Sequence, residues 1–177
     1  MLARSSSLGL LAALAISLPS DGPATFTLES TGAVRVTAGG TEARYGISQD
    51  VDGGGSVLTI SLGATAGEGS LYLYTPGNLL PARGRYPVAL TWQGRWFHGC
   101  FAAGTPEHPV GVFHGESGWV TITDAAPGRI SGEFEFRARG FLAADASDEN
   151  QWVTVRGRFT AEGDSTIAMT DEVAASN

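Results

Sequence analysis

The sequence predicts an all-β protein, an antiparallel β-sandwich or partly closed barrel of about ten to twelve strands. Residues 118–161 alternate apolar and polar side chains in three successive runs, as strands with one buried and one solvated face do. Predicted strands recur roughly every 8–14 residues, with turn residues between them. Outside the N-terminal apolar run, no window of about ten residues keeps the 3.6-residue period of an amphipathic helix.

The last two of these three runs predict how they pair with each other. Each carries charged residues on one face and apolar residues, including phenylalanine, on the other. Opposite charges across an antiparallel pair stabilise it by about 0.2–1 kcal/mol each, whereas a one-residue slip turns every phenylalanine to water. Burial therefore sets the register, and the charges agree with it. The predicted register sets four pairs opposite each other: Glu135 and Arg156, Glu133 and Arg158, Phe136 and Val155, and Phe134 and Gly157.

The N-terminal half of the domain predicts five strands, marked by alternating apolar positions and rich in β-branched and aromatic residues. Short turns separate the first three, so we expect them to form a three-stranded meander. Loops rich in glycine separate the others. The five strands cover residues 24–30, 33–37, 42–48, 57–62 and 70–74.

The next segment is interrupted by prolines, which exclude regular structure for most of residues 75–85. Residues 86–93 and 95–102 then predict a hairpin that turns at Gln93-Gly94. We expect a short edge strand at residues 110–114, before the three alternating runs, and one more short strand at residues 165–170.

The N-terminus has the pattern of an export signal. Arg4 supplies a positive charge, and Leu8–Leu18 supplies an apolar core that is too short for a membrane-spanning helix, which needs about 20 residues. We expect residues 1–23 to be a signal peptide, residues 24–170 a single all-β domain, and residues 171–177 a flexible tail. The expected location is periplasmic or extracellular, with no transmembrane span after signal removal. An uncleaved N-terminal anchor is the alternative.

Composition excludes several classes of function. The chain has 177 residues and a net charge of −7, which argues against nucleic acid as a partner. All basic residues are arginine, so a lysine Schiff base is excluded. Cys100 is the one cysteine, so no internal disulfide can form. No cofactor is predicted.

Four motifs between residues 70 and 161 resemble those of bacterial exported and lipid-anchored β-proteins of unassigned function. Those proteins have a Gly-x-Tyr strand start, a Gly-x-x-Thr-Ile-Thr strand, a Ser-Gly-x-Phe-x-Phe strand and a closing Gly-x-Phe-Thr strand. The resemblance implies a sandwich-like fold and an envelope or secreted location, and it implies no activity. The chain lacks the anchoring cysteine of the lipoprotein members, which argues against membrane attachment. The matching segments are Gly84-Arg85-Tyr86 and residues 118–123, 131–136 and 157–160.

Histidine and cysteine in the middle of the chain suggest a metal site. His98 and Cys100 lie two residues apart in a predicted strand and so face the same side, and His108 and His114 follow closely. Imidazole and thiolate are zinc ligands, so His98, Cys100 and His114 form a candidate three-ligand site. The alternative is a strand face that packs these side chains against their neighbours.

The sequence gives less support to a calcium site, a serine nucleophile or a glycosidase acid. The acidic loops at residues 50–55 and 145–149 resemble calcium loops only in part, and solvated turns explain them equally well. Ser117 is not part of a Gly-x-Ser-x-Gly elbow, and no helix is predicted to follow it. Glu133 and Glu135 face arginines that would keep both carboxylates ionised, so a glycosidase acid is not expected there. A hydrolase whose site is assembled from distant loops remains an alternative function.

Two tryptophans are the strongest binding candidates. Alternation places Trp119 and Trp152 on outward faces of neighbouring strands, and the predicted register sets Trp152 opposite Arg139, where a cation–π contact can form. Such a pair can form a platform for a sugar or a docking surface for a protein. The alternative is that another part of the chain covers them. We expect an exported, non-catalytic protein with a structural or surface-binding role, whose partner is a carbohydrate or an envelope protein.

Overall fold

The computed structural model describes residues 22–49, 55–63, 68–91, 94–163 and 165, and this part of the chain is all-β. It forms ten strands in one sheet and contains no helix, so no helix there is long and apolar enough to cross a bilayer. The strands are β1 (Thr25–Gly32), β2 (Val36–Gly40), β3 (Ala43–Gln49), β4 (Ser56–Leu62), β5 (Gly69–Pro76), β6 (Gly84–Pro87), β7 (His98–Gly104), β8 (Pro109–Ala126), β9 (Arg129–Leu142) and β10 (Gln151–Gly163).

The strand order makes the sheet ring-like. Neighbouring strands follow the path β3, β4, β5, β7, β8, β9 and β10, and β10 returns to β3 through a short parallel pairing. The hairpin of β1 and β2 attaches to β10 through β1, and β6 attaches to β8. This arrangement fits the predicted sandwich or partly closed barrel.

Alternation of apolar residues forms the core. In β4 and β5, each second side chain is buried and its neighbours are only partly so, as expected for strands with one inward face. One contiguous apolar cluster fills the interior. Its largest fully buried side chains include Phe97, Phe101, Phe113 and Phe136.

The predicted pairing of β9 with β10 is confirmed residue by residue. Glu135 lies opposite Arg156, Glu133 opposite Arg158, Phe136 opposite Val155, and Phe134 opposite Gly157. Phe134, Phe136 and Phe159 are 2%, 1% and 3% exposed. Burial of one apolar face therefore does set this register.

Two predicted local pairings are wrong. The strand β3 pairs with β4 and β10 instead of completing a meander with β2, and β6 pairs with β8 instead of forming a hairpin with β7. In β2 only Val36 is buried, whereas β3 and β4 both offer an apolar face that can be buried. β7 covers only the first part of β8, so the rest of that edge is open to β6.

The predicted short strand at residues 110–114 is the start of β8, which continues without a break to Ala126. The register with β9 shifts between Gly115 and Ser117, so Glu116 is the extra residue of a bulge. Gly118 has a φ of 131°, and a Cβ there would lie 2.4 Å from the Glu135 carbonyl oxygen. Only glycine lets the strand continue past this point.

Several expectations fall outside the described residues. They concern residues 1–21 of the signal peptide, residues 50–54 of the first acidic loop, most of the strand at residues 165–170, and the tail at residues 171–177. Ser165 is described and lies in a turn.

Candidate binding surface

The outward side chains of β1, β10, β9 and β8, here called the outer face, form cross-strand rows because the four strands are adjacent and in register. Hydroxyl, carboxylate and guanidinium groups dominate the rows. In the order β1, β10, β9 and β8, the two central rows are Thr27, Arg158, Glu133 and Thr121, and Glu29, Arg156, Glu135 and Trp119.

Two open grooves cross the outer face. The first has a volume of about 870 Å³ and is lined by hydroxyl groups of Thr25, Thr160 and Ser131 among others. The second has a volume of about 590 Å³ and reaches Trp119. Both grooves are lined by Thr27, Glu133 and Arg158, so they meet at one cross-strand row. Together they form a continuous depression on the sheet, in which polar side chains stand among apolar surface.

Ion pairs fix some charges of the outer face and leave others to solvent. Arg156 donates two hydrogen bonds to Glu29, from Nε at 3.0 Å and Nη2 at 2.8 Å, and this carboxylate raises the pKa of the guanidinium. The described structure contains no hydrogen bond or ion pair for Arg158 or Glu133, although they lie opposite each other. The row where the grooves meet therefore offers a ligand the guanidinium of Arg158 as a hydrogen-bond donor and the carboxylate of Glu133 as an acceptor.

Trp119 lies at the end of the second groove. Its ring is partly exposed, and the Arg85 guanidinium of β6 stacks on it with Cζ 3.8 Å from the ring centroid. A cation–π contact of this kind contributes roughly 0.5–1 kcal/mol at an exposed site. It holds the indole in one orientation at the edge of the groove.

Trp152 is also outward and partly exposed, but it lines neither of these two grooves. It lies opposite Arg139 as predicted, yet the nearer guanidinium is that of Arg137, at 3.8 Å from the ring centroid against 5.9 Å for Arg139. The two tryptophans are not on adjoining strands, because β9 separates β8 from β10. They do not form the joint platform that alternation suggested.

Arg139 instead connects this tryptophan to the bulge of β8. Its Nε lies 2.6 Å from Oε1 of Glu116, the extra residue of the bulge. Across the strands, Arg139 also lies opposite His114. The bulge therefore supplies a carboxylate that balances the arginine beside the histidine.

The two histidines of the predicted metal site are in direct contact. Nε2 of His98 lies 3.3 Å from Nδ1 of His114, and Nδ1 of His98 lies 3.3 Å from the carbonyl oxygen of Ala89. Because a carbonyl only accepts, Nδ1 of His98 carries the proton, and its Nε2 accepts from Nδ1–H of His114. Burial is the main reason that the pKa of His98 lies below its ordinary value of 6.5.

Cys100 lies on the same outward side, directly opposite His114. It is half-buried, and burial raises the pKa of its thiol. Across the described ranges, no group of three or more His, Cys, Asp or Glu side chains could hold a metal ion. The predicted three-ligand site is therefore not assembled, although two of its members meet.

The second acidic loop is built as a turn. Asp145 accepts hydrogen bonds from the Ser147 hydroxyl and backbone amide, which lower its pKa, and Asp148 accepts from Asn150 and Gln151. These bonds are the local ones that Asp makes in turns. Ser117 lies opposite Arg137 within the sheet, as part of the polar outer face.

Comparison of the chain with protein-family models, curated proteins and solved structures gives no match. The resemblance of residues 70–161 to exported bacterial β-proteins therefore stays a prediction.

Sequence reasoning missed Arg85 and Arg137 as partners of the tryptophans. Alternation places Arg137 outward, but the stacking of Arg85 depends on a pairing of β6 with β8 that no local signal indicates.

Proposed function

We propose that the protein is an exported, non-catalytic binding protein whose outer face binds a carbohydrate. The observation that supports this most directly is the pair of joined grooves, which are open, lined by Trp119, and present polar side chains among apolar surface. Neighbouring strands lie about 4.8 Å apart, so four strands span about 14 Å, the width of a few sugar rings.

The chemistry of the grooves suits a polyhydroxylated ligand. Sugars present hydroxyl groups that both donate and accept, and they present a C–H face that packs on an aromatic ring. The outer face offers threonine and serine hydroxyls, the guanidinium of Arg158, the carboxylate of Glu133 and the ring of Trp119. Because arginines and glutamates alternate there, the surface favours a neutral ligand over a strongly charged one.

The same surface provides no support for hydrolysis of the ligand. Glu133 and Glu135 lie on one strand, each opposite an arginine, on a sheet face that is open to solvent. A glycosidase needs two carboxyl groups that flank the scissile bond. Binding without turnover is therefore the function that this face supports best, and export rests on the apolar run Leu8–Leu18 at the N-terminus.

A glycan array printed with envelope and cell-wall oligosaccharides tests the proposal. We expect the wild-type protein to bind a subset of neutral oligosaccharides. Trp119→Ala and Arg158→Ala should each reduce the affinity at least about tenfold, the loss of roughly 1.4 kcal/mol. Trp152→Ala is the matched control, because it removes the same side chain outside both grooves.

Circular dichroism and thermal melting of each variant separate loss of binding from loss of fold. Arg158 is exposed and makes no ion pair in the described structure, so Arg158→Ala keeps the test valid if Trp119→Ala unfolds. The proposal is wrong if no glycan binds. It is also wrong if both groove variants bind as the wild type does, or if the surface captures an envelope protein instead.

A further inference from the structure

We propose that His98 and His114 form a binding site for one divalent transition-metal ion of the zinc or copper class. The site lies on β7 and β8, and neither histidine lines the two grooves. It does not depend on the proposed carbohydrate binding. Two imidazoles supply the protein ligands, and water completes the coordination.

The distance between the two facing nitrogens fits a metal ion. Zinc lies about 2.0–2.1 Å from each imidazole nitrogen in a tetrahedral site, so two such nitrogens are about 3.3–3.4 Å apart. Nε2 of His98 and Nδ1 of His114 are 3.3 Å apart. A metal ion can therefore bind beside the line that joins the two nitrogens, once each ring has turned its lone pair toward the ion, and the separation of the two strands need not change.

His98 is already oriented as a ligand. Its Nδ1 donates to the Ala89 carbonyl, and metal-binding histidines usually donate their other ring nitrogen to a carbonyl or carboxylate in this way. The remaining lone pair, on Nε2, then points at His114.

His114 needs only a change of tautomer. Its Nδ1 carries a proton in the hydrogen bond to His98, and transfer of that proton to Nε2 leaves a lone pair on Nδ1 for the metal ion. A neutral imidazole pair then binds the ion without net proton release. His114 is exposed, so water can reach the open coordination positions.

The charges around the pair permit a cation to bind. Arg139 lies opposite His114, and Glu116 at 2.6 Å from its guanidinium balances its charge. The Tyr74 ring, with its centroid 6.2 Å from that of His98, closes another side with an uncharged group. Cys100 lies opposite His114, but the proposed site requires imidazoles alone.

Isothermal titration calorimetry with ZnCl₂ and with CuCl₂ on metal-stripped protein tests the site. The full chain is used as wild type and as Cys100→Ser, which removes the thiol as a competing ligand. We expect one ion per chain in both forms. His98→Gln and His114→Gln, each made in the Cys100→Ser form, should lower the affinity at least about tenfold, because even outer-shell changes cost 10–100-fold.

His108→Gln is the matched control, because His108 is exposed in the turn before β8 and is not part of the pair. It should bind as Cys100→Ser does, and thermal melts without metal should show that all variants fold. Three results would overturn the proposal: no binding by the wild type, unchanged binding in either histidine variant of the pair, or loss of binding in Cys100→Ser alone.

Discussion

At the scale of single residues, some positions in the sheet admit only glycine, because neighbouring atoms occupy the space that a side chain would need. Gly157 lies opposite Phe134, as the alternation predicted. A Cβ at Gly157 would lie 2.0 Å from the Thr27 carbonyl oxygen and 2.6 Å from the Phe134 ring. The sequence indicated the pairing, but only the packed structure shows why glycine is needed there.

We expect Gly157→Ala to lower the free energy of unfolding by about 1–3 kcal/mol, because backbone atoms must move to admit the methyl group. Urea denaturation followed by circular dichroism measures the change. Gly46→Ala is the control, since a Cβ at Gly46 has nothing within 4 Å. Equal stability of the two variants would show that the contact at Gly157 relaxes freely.

His98 gives the second residue-scale prediction. Its pKa is lowered by burial and by nearby His114, while the Ala89 hydrogen bond opposes the shift. The unfolded chain therefore takes up this proton at a higher pH than the folded protein does. Stability should fall as the pH drops below about 6.5, by less than the single-proton limit of about 1.4 kcal/mol per pH unit, because the ring is partly solvated.

Urea unfolding of wild type and His98→Gln between pH 7.5 and pH 5 checks this. The decline with falling pH should be shallower in His98→Gln, whereas His108→Gln should follow the wild type. Among the described residues, His114, Tyr74 and Cys100 lie near the ring, and Arg139 lies opposite His114. Histidine is the residue type in this group that ordinarily titrates in this range. An identical slope in His98→Gln would contradict the assignment.

At the scale of elements, the long strands β8, β9 and β10 organise the molecule. β9 pairs with β8 on one side and with β10 on the other, and its inward phenylalanines are buried. The bulge at Glu116 and the glycine at Gly118 adjust β8 without ending it. This three-strand unit carries most of the outer face and positions His114, whereas His98 lies on β7.

We expect Phe136→Ala to lower the free energy of unfolding by about 3–5 kcal/mol, because it leaves a cavity where Phe136 is 1% exposed. Denaturation in guanidinium chloride gives the value. Val110→Ala on β8 is the control, since Val110 is 45% exposed and should change stability by no more than about 0.5 kcal/mol. A loss below about 1 kcal/mol for Phe136→Ala would mean that β9 does not anchor the core.

At the scale of the whole molecule, a short parallel pairing makes the sheet ring-like. Glu162 and Gly163 of β10 lie opposite Arg44 and Tyr45 of β3. The exposed ion pair of Arg44 with Glu162, at 3.1 Å, contributes at most about 1 kcal/mol. The backbone contact at Gly163 is the tighter constraint, because a Cβ there would lie 2.4 Å from the Tyr45 carbonyl oxygen.

We therefore expect Gly163→Val to separate β10 from β3. Hydrogen exchange followed by mass spectrometry should show faster exchange in the β3 peptide that contains Arg44 and Tyr45, the two residues that pair with β10, while peptides from the pairing of β8 with β9 keep their protection. Gly46→Val introduces the same side chain where a Cβ meets nothing, and should leave exchange in β10 unchanged. Unchanged protection of β3 in Gly163→Val would show that the ring does not depend on this pairing.

The sequence by itself determined the all-β class, the inward and outward faces of the last strands, and the pairing of Glu135 with Arg156 across them. These follow from period-two alternation, in which burial of one face leaves a single register. Only the tertiary structure decided that β3 closes on β10, that β6 stacks Arg85 on Trp119, and that His98 meets His114. The first two contacts join strands that are not consecutive in the chain, and such pairing depends on which edges remain open after the core has packed. The histidine contact joins consecutive strands, and it depends on the register of β7 with β8.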